Sequence, residues 1–279
     1  MNWFFLALIA TSFFILYNLL SRILAIRSTS PRAFTILYNG IAASLSVCLL
    51  VFEPFSLPSL SFEIIALSCI GFIIWALFAR MEFLSKKYVE ASTLTIIFRL
   101  APLVTVVTSL LFLHEPFTPA KAVAIGCILI ANIILAYNNK GISLRHLGFA
   151  VVLASSLGLG WIFDKLVSHY YPLSFYTILS FGIPSLLNAI TPPISTKEIA
   201  KEWKTSTWKI PLLASINIAG YYMYLLALRT GEISKVSIVI SSAGIITMIL
   251  GIWLLKERKM LGRKLCAGVF ILLSILLLQ

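Results

Sequence analysis

Charge is what this chain has least of. Only 11% of its 279 residues are charged, 60% are apolar and the mean hydropathy is +1.00. A soluble domain carries about a quarter charged residues, so a water-soluble fold of this length is excluded. Aspartate is nearly absent: Asp164 stands alone. A membrane enzyme acting on lipid or prenyl diphosphate would need clustered acids for magnesium, or a nucleophile with a base, and a single aspartate argues against an enzyme. The three histidines, His114, His146 and His169, are scattered at the ends of apolar stretches and support neither a metal site nor a proton relay. Cys48, Cys69, Cys127 and Cys266 lie inside apolar stretches without metal-like spacing, so no disulfide framework, metal site or cofactor is indicated. Gly158 and Gly160, in LGLGW, follow no strand and are read as close helix packing, not a phosphate-binding loop.

What is present is length enough, in apolar segments, to cross a membrane ten times. A hydrocarbon core of roughly 30 Å takes about 20 apolar residues as helix. Such stretches run at 2–20, 33–52, 62–84, 91–113 and 118–137, and again at 147–168, 173–191, 210–228, 233–255 and 260–278. The first is kept as span one and not as a signal peptide, because Met1-Asn2-Trp3 lacks a basic leader and Ala10-Thr11-Ser12 is echoed by Ala154-Ser155-Ser156. A net charge of +12 would suggest nucleic acid in a soluble protein. Here it sits in short loops, where it reports orientation and anionic lipid instead.

The second half repeats the first at an offset of 142 residues. FTILYNGI at 34–41 returns as YTILSFGI at 176–183, and from Met81 onward an ungapped register aligns Glu90 with Glu232, Glu115 with Glu257 and Gly126 with Gly268. Five spans per repeat is an odd number, so the second copy enters the membrane from the opposite face. The expected fold is therefore all-α and polytopic, with ten transmembrane helices as two inverted five-helix repeats, 1–137 and 147–279, joined by 138–146. The longest loop, Thr191 to Lys209, offers Ser195 and Glu198 as a capping box for a short interfacial helix anchored by Trp203 and Trp208. Sixteen loop basic residues fall on one side, and four (Lys121, Lys165, Arg229, Lys235) on the other. By charge asymmetry this places both termini outside the cytoplasm.

Duplication separates architecture from function: charges in both copies serve the scaffold, whereas buried charges in one copy need another reason. Glu90/Glu232, Glu115/Glu257, Lys87/Arg229 and Lys121/Arg263 are thus loop and helix-end features. Arg99, Glu82, Arg80 and Asp164 break the symmetry. Arg99 lies nine residues after Glu90, roughly 13 Å along the axis and near mid-membrane. A guanidinium there faces the bundle interior, as a substrate ligand or as half of a buried ion pair with Glu82. Ser92, Thr95, Arg99 and Pro102 form one helical stripe, answered by Ser234, Ser237, Ser241 and Gly244. Trp75, Ala79 and Glu82 form another, answered by Asn217, Tyr221 and Tyr224. Aromatic faces with a carboxylate hold organic cations or planar rings, and a membrane carboxylate is a candidate carrier of a coupling proton. Asn18 lines the same cavity or bonds across helices. Arg80 snorkels to an interface marked by Lys86 and Lys87, and Asp164, about seventeen residues into its span, is placed at the interface. Pro102 and Pro184 remove backbone bonds where hinges are useful, and Pro102 with its counterpart Gly244 is the hinge or gate candidate.

With the repeat, the Ser92-to-Pro102 run and the glutamates ending spans four and nine, the chain resembles the drug/metabolite transporter superfamily, closest to its ten-helix EamA-type branch. The resemblance covers essentially all 279 residues. It implies a secondary transporter of the cell inner membrane, with a central cavity formed mainly by spans one, three, four, six, eight and nine. It moves a small metabolite, often an amino acid, by alternating access, and both termini are cytoplasmic, against the charge count. Gly244 departs from the pattern set by Pro102. The leading reading is an exporter of a small anion or zwitterion engaged by Arg99, with Trp75, Tyr221 and Tyr224 shaping the pocket. The alternatives are a carrier of organic cations held by the aromatics and Glu82, and, remotely, a channel. Partners are the small-molecule substrate and the lipid bilayer, with a proton as candidate coupling ion.

Overall fold

A computed structural model describes residues 2–53, 56, 61–88, 98, 100–136, 144–243 and 261–277. Arg99, Thr95 and Gly244 from the predicted site lie outside the described residues. Every regular element among those described is helical: α1 Trp3–Arg27, α2 Pro31–Ser46, α3 Phe62–Tyr88, α4 Ala101–Phe112, α5 Pro119–Ala136, α6 Leu144–Val167, α7 Leu173–Ile190, α8 Thr196–Ser206, α9 Lys209–Thr230, α10 Ile233–Ser241 and α11 Leu261–Leu276, with short 3₁₀ turns after α2 and α6. Five of the described helices are long and apolar enough to cross a membrane: α1, α2 with its 3₁₀ extension to Val51, α3, α7 and α9. Phe5, Leu16, Ile73 and Leu186 remain exposed on their outsides, as lipid contact requires.

Several spans run further than hydropathy alone suggests. α1 extends past residue 20 to Arg27 and α3 past 84 to Tyr88, because Lys87 meets the Ser28 carbonyl at the end of α1 at 2.8 Å. Arg229, its counterpart 142 residues on, binds the Ser168 and Tyr171 carbonyls after α6 at 3.2 and 2.6 Å. The helix element after Arg99 begins at Ala101 with Pro102 in its first turn, where the missing N–H costs no intrahelical bond, and Phe98 just before it is also helical. Loop 191–209 does hold a short helix, α8, with Ser195 as N-cap and Trp203 and Trp208 exposed.

Packing follows the repeat. α2 lies on α7; α1 on α9 is matched by α6 on α3; α9 on α2 by α3 on α7; α1 on α10 by α6 on α4; and α5 lies on α11. The α2–α7 contact is antiparallel: Arg32 reaches the Asn188 carbonyl at 2.8 Å, Ser185 the Ile36 carbonyl at 2.9 Å, and Gly182 sits against Ala43. Gly40, the counterpart of Gly182, meets Ser185, the counterpart of Ala43; a Cβ at Gly40 would lie 3.2 Å from Ser185 Oγ. The repeated glycine in FTILYNGI and YTILSFGI therefore brings these two backbones close.

Each member of this pair is capped by an acid that follows the other. Glu202 in α8 accepts from Thr29 N, Thr29 Oγ1 and Ser30 N at 2.8, 2.7 and 3.0 Å, closing the start of α2. Glu53 accepts from Leu173 N and Ser174 N at 2.5 and 3.2 Å, closing the start of α7. Glu115 does the same for α10 through Ile233 N at 2.7 Å, and Lys121 ties Glu115 to Glu232 at 3.4 and 2.5 Å. Carboxylates at helix N-termini meet free N–H groups and the positive end of the helix dipole.

Candidate functional site

Three acids are buried among the described residues: Glu202 of α8 closes the start of α2, while Glu82 and Asp164 lie in the long apolar helices α3 and α6, in surroundings that differ in charge. Glu82 on α3 is 6% exposed. One turn later Lys86, 4% exposed, places Nζ 2.5 Å from Glu82 Oε1. The Tyr17 hydroxyl donates to the same carboxylate at 3.1–3.2 Å, and the ammonium also reaches Ser21 Oγ at 2.7 Å and Asn18 Oδ1 at 3.4 Å. Lys86 lies 4.5 Å over the Tyr17 ring. The cluster is a compensated pair: an ammonium and a carboxylate, each with further hydrogen bonds, as burial demands.

Asp164 on α6 has no such cation among the described residues. It is fully buried, at 0% exposure, although only three residues separate it from the end of α6 at Val167. Trp75 Nε1, Tyr176 OH and Tyr221 OH all donate to Oδ1, at 2.9, 2.8 and 3.0 Å. Oδ2 is buried and has no hydrogen-bond partner among the described residues, and neither has the Tyr224 hydroxyl. The rings close into a cage. Trp75 stands edge-on to Tyr221 at 6.1 Å, Tyr221 tilts over Tyr224 at 5.8 Å, and Trp161 lies 6.4 Å from Tyr224.

A polar thread joins the two clusters. Tyr17 and Tyr38 rings lie 5.9 Å apart, and the Tyr38 hydroxyl accepts from Asn217 Nδ2. Asn217 precedes Tyr221 by one turn on α9, and Tyr221 ends on Asp164. Small residues make room for the large ones. A Cβ on Gly160 would sit 3.0 Å from the Trp75 ring, and one on Gly158 2.7 Å from the Ala101 carbonyl of α4, while Thr105 Oγ1 donates to the Gly158 carbonyl at 3.2 Å.

Of the predicted site residues, the structure brings Glu82 and Asn18 together in one cluster, Trp75, Tyr221 and Tyr224 in the other, and Asn217 between them. Ser241 donates to its own helix, at the Ile238 carbonyl 2.8 Å away. Arg80 lies inside α3, about two turns before its end at Tyr88, and donates to the Thr191 carbonyl just past the end of α7 at 2.8 Å. Sequence reasoning missed Lys86, Tyr17, Tyr38, Tyr176 and Trp161 as partners, and did not foresee the burial of Asp164. Signals existed for two of these. Lys86 follows Glu82 at i+4, and Asp164 aligns with Arg22 in the repeat, a charge reversal no scaffold role explains. Among the described residues, no group of three or more His, Cys, Asp or Glu could hold a metal ion.

Comparison with known proteins supplies the family. The EamA-like transporter family model matches the chain twice, over residues 1–137 and 145–279. No curated protein matches it. A solved crystal structure of a protein is similar over 99% of this chain and 94% of that chain, with a TM-score of 0.72 and 15% identical residues; at that identity it speaks for the fold alone.

Proposed function

The chain belongs to the EamA-like transporter family, within the drug/metabolite transporter superfamily, and from that premise we propose a secondary active transporter that moves a small metabolite by alternating access. It is an integral membrane protein whose partners are the bilayer and a small-molecule substrate. The reading takes ten spans as two inverted five-helix repeats, 1–137 and 147–279, joined by 138–146, in the cell inner membrane. Support for inversion comes from α2 and α7. Equivalent helices that pack antiparallel imply a two-fold axis lying in the membrane plane, the geometry on which rocking of one half against the other depends.

The observation that carries the reading is the buried polar core where the halves meet. Trp75 of the first half donates to Asp164 of the second at 2.9 Å, and Asn217 of the second donates to Tyr38 of the first. Buried hydrogen bonds across the seam between two moving bodies are contacts that one state makes and another breaks. The cargo is an amino acid or other small anion or zwitterion, exported, with Arg99 engaging its carboxylate. Trp75, Tyr221 and Tyr224 shape the pocket, Thr95, Ser241 and Asn18 line it, and Pro102 with Gly244 sets the hinge. The organic-cation alternative loses support at Glu82, whose charge Lys86 already answers.

Thermal stabilisation of the purified protein across a metabolite panel sorted by charge tests this. A ligand at 100 times its dissociation constant adds about 2.7 kcal/mol. Stabilisation by an anion or zwitterion that disappears in Arg99→Ala is the expected result. Stabilisation by cations alone, surviving Arg99→Ala, overturns it.

A further inference from the structure

The contrast between Glu82 and Asp164 goes beyond the transport reading and rests on it. Glu82 is neutralised by Lys86 at 2.5 Å, whereas Asp164 makes no ion pair among the described residues. Among the described residues, the groups around it are these. From α3 comes Trp75, from α7 Tyr176, and from α9 Tyr221 and Tyr224. Its neighbour Lys165 points away, donating to the Leu228 and Gly231 carbonyls, the latter at 2.9 Å. Arg229 at the end of α9 is bound to Ser168, Tyr171 and Glu53. His169 lies beyond Asp164 in the 3₁₀ turn after α6. On the helices packed beside α6, α4 carries no charged residue and Lys235 of α10 pairs with Glu232 at 3.4 Å.

We infer that Asp164 is the proton-carrying group of the transport cycle, loaded in the closed arrangement seen here and unloaded when the two halves part. No described residue supplies a cation to this carboxyl, and the membrane interior strongly disfavours a charge so placed, so neutrality in the closed state calls for a proton on it. Oδ1 has three donors and behaves as the accepting oxygen; Oδ2, buried and unpartnered, is where the proton sits. The step is simple in balance: the Oδ2–H bond breaks, its electron pair stays on the carboxylate, and the proton leaves on water. The donors make release conformation-dependent. Tyr176 and Tyr221 belong to the same half as Asp164, but Trp75 belongs to the other. Parting of the halves breaks the indole bond and admits water, which solvates the anion that the closed cage does not. The two tyrosines stay to hold the carboxylate for reloading.

Asp164 being the only aspartate gives an assignment that needs no mutation. Full-length protein made by cell-free synthesis with side-chain carboxyl 13C-aspartate, which avoids metabolic conversion of the label, carries it at Asp164, and infrared spectroscopy in lipid at neutral pH reads its state. The expected result is an isotope-shifted C=O stretch of a protonated carboxyl, lost in Asp164→Asn. A labelled band in the ionised carboxylate position overturns the inference, as does an ionised Asp164 onto which organic ammonium ions bind. In a second arm, proteoliposomes are loaded with radiolabelled amino acids under an imposed pH gradient. Asp164→Asn should lose gradient-driven accumulation but keep exchange of labelled for unlabelled amino acid; gradient-driven accumulation retained by Asp164→Asn refutes the coupling role. An ionised Asp164 with intact flux sinks this inference alone. A protonated Asp164 in a protein showing neither accumulation nor exchange sinks the transport reading, and the coupling role with it.

Discussion

Replacing Lys86 with Met removes the ammonium and leaves the Glu82 carboxylate buried with only the Tyr17 hydroxyl to answer it. The two side chains are 5% and 7% exposed and 2.5 Å apart. Breaking a buried pair by removing one partner costs about 3–5 kcal/mol, because the survivor keeps its desolvation penalty. That is at least about a hundredfold in the ratio of folded to unfolded protein. Removing both charges, in Glu82→Gln with Lys86→Met, should cost far less, about 1 kcal/mol, since amide and thioether bury cheaply where ions do not. Glu82→Gln alone strands the buried ammonium and should likewise cost about 3–5 kcal/mol, so the cycle carries a coupling energy of about 5–9 kcal/mol in magnitude. Lys235→Met is the control: its 3.4 Å pair with Glu232 has side chains 30% and 34% exposed, and such pairs contribute about 1 kcal/mol or less. Equilibrium unfolding in mixed micelles measures all four variants. If the two single losses simply add in the double variant, or Lys86→Met costs no more than Lys235→Met, the argument that Lys86 compensates Glu82 is wrong.

The remaining expectations rest on separate contacts. Gly158→Ala places a Cβ 2.7 Å from the Ala101 carbonyl and 2.9 Å from Val104 Cβ, forcing α6 off α4 at a cost of about 1–3 kcal/mol; Gly182→Ala, with 3.6 Å to Ala43, should be nearly silent in the same unfolding assay. Glu202→Ala strips three hydrogen bonds from the start of α2 and should cost at least about 1–2 kcal/mol, read as faster amide exchange at Thr29 and Ser30 while the α7 start, held by Glu53, is unchanged. Glu232, just before α10, is pushed up by burial but pulled further down by Lys121 and Lys235, so its carboxyl titrates below the usual glutamate range. A depressed acid stabilises the fold above its ordinary value and loses that stabilisation as pH falls through the lower, folded value. Wild type should therefore lose stability more steeply than Glu232→Gln on acidification into that window, and parallel curves would refute it.

Much of this fold is legible in the sequence because lipid imposes one constraint on every span. Hydropathy marks the spans, and the repeat shows which helices are equivalent, as Gly40 and Gly182 illustrate at the α2–α7 crossing. Hydropathy does not see what tertiary contacts add. Lys86 and Lys87 are adjacent and look alike, yet one is buried on Glu82 and the other reaches the end of α1; only helix rotation separates them. The burial of Asp164 is hidden for a similar reason. Depth counted along the chain puts it near an interface, but Ser168 and Tyr171 fold over the end of α6 and are themselves buried. Glu53 and Glu202 were invisible as caps because each closes a helix more than a hundred residues away, and no local pattern encodes that pairing. The stripe of Trp75 and Glu82 was readable, while the direction in which each residue bonds was not: Trp75 turns to Asp164 and Glu82 to Lys86.

The central claim, carrier-type transport by alternating access, is tested most directly by counterflow. Proteoliposomes preloaded with unlabelled metabolite are diluted into the labelled form, using amino acids, organic anions and organic cations in turn. The account predicts saturable uptake that overshoots equilibrium for one class of cargo, because a carrier must bind on one face before it returns from the other. Uptake that rises linearly with concentration and shows no overshoot would mean an open pathway and contradict it.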